Sequence, residues 1–354
     1  MLLVPTYLAG QRTADLYRDS GDIDVHYALG PEERVPGGGP LGPAGQRAKA
    51  EQVLGDRIAE FDIVGALPGP AFITAPLLDR APRLKIVFIA SAGYDSVDVA
   101  AATSRGIAVV NAAGSNAVPV SEHAIGLLLS VSRKIAQLDR RAHRESRGLH
   151  YLDVGEFPPV LQGSTLGLVG LGAIGRRVAG IAKAGFGMTA IAYDPFADKE
   201  MARVLGVELT GTLEELLERS DAVSMHLPLS EQTRHTISSR ELALMKPGAF
   251  LVNTSRGGTV DTDALVAALR SGHLGGAGLD VTDPEPLPPG HPVFALDNVV
   301  LTPHHGGTSP TAITDAHALA ARSVIDAVHG IRPATLVNHD VWPTYLSRLE
   351  NDAS

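Results

Sequence analysis

Three segments of this 354-residue chain join a chemically capable side chain to a turn that follows an apolar run. They are Val252-Asn-Thr-Ser-Arg256-Gly-Gly, Gly278-Leu-Asp280-Val-Thr-Asp-Pro-Glu285-Pro and Leu301-Thr-Pro-His304-His305-Gly-Gly307. An arginine offers a fixed fork of donors that suits a carboxylate and an adjacent carbonyl oxygen. A protonated histidine donates to that oxygen as hydride reaches the carbon, and in reverse takes the hydroxyl proton. A glutamate beside it favours the imidazolium form and holds its tautomer. Arg256, Glu285 and His304 therefore suit a small 2-oxo acid and its 2-hydroxy acid. Each alone has a plainer reading: Arg256 as a contact at the Gly257–Gly258 turn, Glu285 as a loop acid between prolines, His304 as a satisfied histidine. Their joint appearance after three successive apolar runs selects the chemistry.

Hydride chemistry needs a carrier, and Gly167-Leu-Val-Gly170-Leu-Gly172-Ala173-Ile174-Gly175 supplies a site for one. A G-x-G-x-x-G turn that ends a strand and opens a helix is a dinucleotide fingerprint: Gly170 for the tight turn, Gly172 for backbone approach to a pyrophosphate, Gly175 for helix–strand packing. The helix N-terminus adds amide donors and partial positive charge. Asp194 ends the next apolar run, where a carboxylate accepts from a ribose diol and repels a 2′-phosphate. Pro195 and Phe196 follow it with no basic residue, which favours NAD over NADP. The competing reading of Asp194 is a turn cap before proline.

The elements that must position these residues form two α/β series. The first has strands at Phe61–Val64, Lys85–Ile89 and Ile107–Val110, with helices near Gln46–Ala59, Ala75–Ala81 and Asp98–Arg105. Val35–Gly45, rich in Gly and Pro, reads as a mobile surface loop. One long helix is expected from Val120 to Arg141, apolar in front and charged behind, with Arg144–Pro159 irregular after it. The second series has six strands: Thr165–Val169, Thr189–Tyr193, Ala222–Met225, Phe250–Asn253, Ala277–Leu279 and Val299–Leu301. Its helices are Ile174–Ala184, Leu213–Arg219 and Thr262–Arg270. This predicts a doubly wound sheet with ligands at the carboxyl ends of its strands. A helical run from Thr308 to about His329 is expected to return to the first domain. The domains are then 1–115 with 308–354, discontinuous and substrate-binding, and 116–307, nucleotide-binding.

Composition narrows the function further. The net charge of −9 argues against a bulk electrostatic grip on nucleic acid or anionic membrane. With no cysteine there is no disulfide, thiolate nucleophile or Cys-ligated zinc, which fits a reducing compartment. The N-terminus carries no signal-peptide pattern, and the most apolar stretch, Ala124–Val131, is far too short to span a membrane. A cytoplasmic protein is the expectation. His123, His226 and His235 show no metal-like spacing, so no metal is expected. Glycine is in excess, 38 residues of 354, or about 11% against a usual ~7%.

Taken together these motifs resemble the D-isomer-specific 2-hydroxyacid dehydrogenase family, over about residues 60–337. The motifs are the glycine fingerprint with Asp194, His226-Leu-Pro-Leu, Asn-Thr-Ser-Arg-Gly-Gly, the Asp280–Glu285 segment and Thr-Pro-His. The resemblance implies two Rossmann-like domains, a flavodoxin-like substrate domain and a doubly wound NAD-binding domain, with a cleft that closes on the substrate. It implies Arg256, Glu285 and His304 as the catalytic triad and Asp280 as partner of the nicotinamide carboxamide. Leu227, Pro228, Thr233, Thr254 and Ser255 match cofactor-lining positions, and Gly306 flanks the triad. Val120 matches a position near the nicotinamide, although a core valine reads equally well. Ser91-Ala92-Gly93-Tyr94-Asp95 resembles the family's loop whose amides, here Ala92 and Gly93, cradle the substrate carboxylate; an ordinary glycine turn is the alternative. Similar enzymes are homodimers joined through the nucleotide domain.

The chain also departs from that pattern. His305 stands where a small or apolar residue is usual, so it competes with His304 as proton carrier. Thr282 replaces a common aromatic. The tail Trp342–Ser354 runs past the usual end and could dress the first domain or a partner subunit. Glu285, where similar formate dehydrogenases carry Gln, argues against formate oxidation. The remaining alternatives are phosphite or 3-phosphoglycerate as substrate, and a corepressor-like sensor of NAD(H).

Overall fold

The computed structural model describes residues 1–4, 15–17, 19–21, 23–28, 42–67, 69, 71–146, 148–150 and 157–353. Two compact units emerge: Met1–Asn116 with Ser309–Ser354, and Ala117–Thr308. Of the Gly/Pro stretch 35–45, residues 35–41 lie outside the described residues, as do 147 and 151–156 of the segment 144–159 and the last residue of the tail.

The first unit holds a five-stranded parallel sheet. Its strands are β1 (Leu2–Val4), β2 (Val25–Tyr27), β3 (Ile63–Ala66), β4 (Ile86–Ile89) and β5 (Ala108–Val110), in the order β2-β1-β3-β4-β5. That is the flavodoxin-like order 2-1-3-4-5. Successive strand residues enter opposite cores: Val64, Val87 and Ile89 on one face, Ile63, Ile86 and Phe88 on the other. This explains the unbroken apolar runs, since a parallel sheet is covered on both sides. β1 and β2 are additional to the strands expected; each has only three residues, too few for a periodic pattern.

Two corrections to the sequence reading, and one choice between its alternatives, fall on helices. Helix α1 (Gly42–Arg57) begins inside the presumed Gly/Pro loop. A proline early in a helix lacks an N–H that the first turn leaves unbonded anyway. The single helix expected over 120–141 is two, α2 (Ala117–Ser132) and α3 (Ile135–Glu145), broken at Lys134 with φ 57°. The break lets the α3 residue Arg140 reach the Asp297 carbonyl at 2.9 Å, just before the outermost strand. The tail is also helical: after α6 (Pro310–Val328), helix α7 (Trp342–Ala353) packs on the first unit's core through Tyr345, which is fully buried.

The second unit holds seven parallel strands. They are β6 (Thr165–Val169), β7 (Thr189–Tyr193), β8 (Glu208–Leu209), β9 (Ala222–Met225), β10 (Phe250–Asn253), β11 (Gly276–Leu279) and β12 (Val299–Leu301). Their order, β12-β11-β10-β9-β6-β7-β8, is the doubly wound 3-2-1-4-5-6 arrangement with one strand added. β8 is the strand not foreseen, a two-residue edge. Helices α2 and α4 (Ala173–Phe186) cover one face through Ala124, Leu127, Leu128, Val178 and Ala182. Helix α5 (Thr262–Arg270) and its neighbours cover the other through Leu265, Val266 and Leu269. Among the described residues no helix is long and apolar enough to cross a membrane.

Candidate active site

The reversal of strand order falls between β6 and β9, which pair directly, and the glycine turn leaves β6 there. Ligands of open α/β sheets bind at such a point. Gly170 has φ 98°, a conformation costly for any other residue, and an added Cβ would lie 2.7 Å from the His226 carbonyl oxygen. A Cβ at Gly175 would overlap the Gly170 carbonyl. Gly172 differs: a Cβ there would meet no protein atom within 4 Å. Protein packing thus accounts for two of the three glycines, and the third leaves open space that a ligand's phosphates would fit. Ala173 and Ile174 open α4, whose first amides have no intrahelical acceptor. A dinucleotide therefore fits this turn.

Asp194 serves the turn as well. Its carboxylate accepts from Leu171 N at 2.8 Å and from Phe196 N at 2.9 Å. The turn-capping reading is therefore physically present, and the spare lone pairs leave the carboxylate able to accept from a ribose. On the neighbouring strands, Thr233 Oγ1 donates to the Pro228 carbonyl at 2.6 Å and fixes the loop after Leu227. Ser255 Oγ donates to Asn253 Oδ1 at 2.8 Å. Val120 is buried in α2, which favours its core reading.

Three catalytic candidates follow β10, β11 and β12. His304 Nδ1 meets Glu285 Oε1 at 2.6 Å, and both side chains are nearly half exposed. It is His304, rather than His305, whose ring meets the glutamate. The hydrogen bond that His304 donates to the Glu285 carboxylate raises the His304 pKa above the ordinary histidine value, against burial. Burial would raise Glu285, but the bond and charge of His304, the Thr282 N–H and the Arg256 charge outweigh it and hold it below the usual carboxylate range. Arg256 is close enough to act electrostatically on both partners.

The loops carrying Arg256 and Glu285 are locked together by close packing. A Cβ at Gly257 would overlap the Thr282 carbonyl, so only glycine lets the two backbones touch. Thr262 Oγ1 donates to the Asp283 carbonyl at 3.0 Å, and Arg234 pairs with the Asp283 carboxylate at 3.1 Å.

Asp280 also binds the chain itself. Its carboxylate is buried and accepts from Thr302 Oγ1 at 2.6 Å, His305 N at 2.8 Å and Gly306 N at 2.8 Å. Its carbonyl accepts from His304 N at 2.7 Å. Three consecutive amides of the His304 turn thus end on one residue, which holds His304 at φ 53°. Burial opposes the charge, but the Thr302 bond, the two amides and His123 hold the Asp280 pKa below the ordinary value.

Sequence reasoning did not connect Thr302 or His123 with Asp280. Thr302 and His123 join the Asp280 network; the only sequence signal was a polar residue inside an apolar segment. Ser224 Oγ, both ring nitrogens of His226 and Thr254 Oγ1 are buried without a hydrogen-bond partner among the described residues. Burial pushes the His226 ring down to about 4, so it is neutral at neutral pH.

In the first unit, the loop after β4 is tied down by Ser91 Oγ donating to the Gly93 carbonyl at 2.8 Å and Asn111 Nδ2 donating to the Ala92 carbonyl at 2.7 Å. Both carbonyls are thereby engaged, and among the described residues the N–H groups of Ala92 and Gly93 have no acceptor. That is the polarity of an anion nest.

Residues 125–306 match the family described as D-isomer specific 2-hydroxyacid dehydrogenase, NAD binding domain. A glyoxylate reductase of Korarchaeum cryptofilum is 40% identical over 293 residues, covering 82% of this chain and 87% of that protein. A D-3-phosphoglycerate dehydrogenase of Methanocaldococcus jannaschii is 38% identical over 289 residues, and there the match spans 81% of this chain but only 53% of the relative's length. The crystal structure of apo D-mandelate dehydrogenase from Rhodotorula graminis superposes with TM-score 0.80 at 31% identity, covering 95% of this chain and 96% of that one. With the glycine turn at the switch point, these matches place the chain in the D-isomer specific 2-hydroxyacid dehydrogenase family of NAD-dependent oxidoreductases.

Proposed function

We propose that the protein reduces a small 2-oxo acid to its D-2-hydroxy acid, with His304 as proton donor, Glu285 as its support and Arg256 as binder of the carboxylate and carbonyl. The observation that carries this is the 2.6 Å pairing of His304 Nδ1 with Glu285 Oε1. With Nδ1 engaged, Nε2 is the nitrogen left for substrate. When bound in its reduced form, NADH would supply the hydride and leave as NAD+. Its pyrophosphate is assigned to Gly170, Gly172, Ala173, Ile174 and Gly175, and its ribose to Asp194. Leu227, Pro228, Thr233, Thr254, Ser255, Asp280 and Gly306 line the same strand ends.

As the carbonyl carbon gains hydride, negative charge grows on oxygen. The Arg256 guanidinium and the His304 imidazolium both face that charge in kind, and electrostatic stabilisation of this sort is usually the largest catalytic contribution. Proton transfer from His304 then completes the alcohol. Glu285 favours the protonated form of His304 and fixes Nε2 as the donor. The first unit is the substrate domain in this reading, with Ala92 and Gly93 as carboxylate donors. The functional form is a homodimer, checked by its mass in solution.

A glyoxylate-sized substrate is favoured over 3-phosphoglycerate. Arg83 and Lys85, the nearest basic residues in sequence to the Gly93 loop, precede β4, whereas the loop follows it. Arg83 is paired with Asp62 at 3.2 Å. NADH oxidation is to be followed with glyoxylate, hydroxypyruvate, pyruvate, phenylpyruvate and 3-phosphohydroxypyruvate. Turnover of the small acids with NADH, abolished by His304→Ala, is expected. Wild-type rates in that variant, or preference for the phosphorylated acid, would overturn the assignment.

A further inference from the structure

The helix α2 lies on β11 with an uncommon closeness. A Cβ at Gly276 would collide with Val131, and one at Gly278 would lie 2.8 Å from Leu127 Cβ. Steps of four along a helix advance about 6 Å, and steps of two along a strand about 6.6 Å. The two rows therefore stay matched: Val131 over Gly276, Leu127 over Gly278 and, one step on, His123 over Asp280. His123 Nε2 lies 2.8 Å from Thr302 Oγ1 and 3.3 Å from Asp280 Oδ1. Its ring shares the space beside Gly306 with the Asp280 carboxylate: a Cβ there would lie 2.9 Å from Asp280 Oδ2 and 3.0 Å from His123 Cδ2, so removing the ring relieves part of the crowding.

The proton order in this network follows from valence. A threonine hydroxyl has one proton. The 2.6 Å contact to the Asp280 carboxylate, whose pKa is held low, takes it. His123 Nε2 must then carry its own proton and donate to Thr302 Oγ1. The chain runs from His123 through Thr302 to Asp280, and Asp280 in turn holds the amides of His304, His305 and Gly306.

We propose that His123 is a positioning residue for the reaction: its Nε2–H and ring, set by the glycine-lined contact of α2 with β11, clamp the turn that presents His304. The proposal rests on the catalytic reading of His304 given above.

Two measurements on the full chain separate this proposal from that reading. Hydrogen exchange at the His305 and Gly306 amides reads the clamp without any turnover. His123→Ala is expected to speed it about tenfold, the value of one hydrogen bond to a charged network. His123→Gln, which keeps an N–H donor, is expected to restore most of the protection. In kinetics, His123→Ala is expected to lower kcat about tenfold with little change in KM, and His123→Gln to recover it. A double-mutant cycle adds a third readout: the loss caused by Gly306→Ala is expected to shrink in the His123→Ala background, because the clashing ring is gone. Unchanged exchange in His123→Ala, a Gln variant as impaired as Ala, or additive Gly306 and His123 effects would each overturn the clamp. A wild type that turns over no 2-oxo acid would overturn the catalytic reading alone, and the exchange result would still decide the clamp.

Discussion

At the scale of residues, the proposed chemistry rests on opposite shifts within one pair. His304 is raised and Glu285 lowered, so each favours the charged form of the other. Reduction consumes the imidazolium form. Its kcat/KM is expected to hold on the acid side and fall as pH rises through the raised His304 value, with oxidation showing the reverse. Glu285→Gln removes the first cause of the shift and is expected to move that limb to lower pH; a limb that stays in place would separate Glu285 from His304. The same shifts act on stability with opposite signs. The His304 contribution is complete below its unfolded pKa and lost as pH rises through the folded one. The Glu285 contribution is present above its unfolded pKa and lost as pH falls through its folded one. Both side chains are too exposed for this to matter much to the fold. Asp280 is the better stability probe, because it is buried and its depressed pKa costs stability only in acid. Wild type is expected to lose more Tm than Asp280→Asn as pH falls below about 4. Parallel Tm curves would remove Asp280 as an ionised clamp.

At the scale of elements, glycines decide how closely strands, turns and helices meet. The three glycines of the dinucleotide turn are predicted to fail differently. A side chain at Gly172 meets no protein atom. Gly172→Ala is therefore expected to cost the fold only about 1 kcal/mol, the difference between Gly and Ala as an N-cap, while weakening NADH binding more than tenfold. Gly175→Ala would overlap the Gly170 carbonyl and is expected to lower both Tm and affinity. Fluorescence titration and thermal melts of the two variants check this; equal losses of stability would refute the distinction. Gly257→Ala tests the other close contact. Its overlap with Thr282 is expected to cost about 1–3 kcal/mol as overpacking, shown as lost kcat with NADH affinity retained.

At the scale of the whole molecule, the two sheets are legible as orders of strands and their cores as separate bodies. The last helix belongs to the first unit. Tyr345 is fully buried, donates to the Ala327 carbonyl at 2.8 Å and stacks on Trp342. Tyr345→Ala is expected to destabilise that unit by about 3–5 kcal/mol, while NADH binding by the second unit persists. Calorimetry with NADH titration checks both, and loss of NADH binding would contradict the assignment of α7 to the first unit's core alone.

Much of the second unit could be read directly from the chain. β6, β7, β9, β10 and β12 begin and end where the sequence reading put them, because a strand covered on both faces is apolar along most of its length. The glycine fingerprint and the three catalytic segments were also local, since each is a turn whose chemistry is written in consecutive residues. Short strands were not legible: β1, β2 and β8 have two or three residues and owe their form to pairing with distant neighbours. Neither was the break at Lys134, a lysine with no helix-breaking character, nor the helical start at Gly42. The Asp280 network lay furthest out of reach. His123, Asp280, Thr302 and Gly306 come together only because α2 lies flush on two glycines of β11, and no periodicity reports such a contact. The sequence by itself determined which side chains the chemistry has available. Tertiary structure decided which of them meet, because strand register and helix–strand distance are set by packing between residues that the chain keeps far apart.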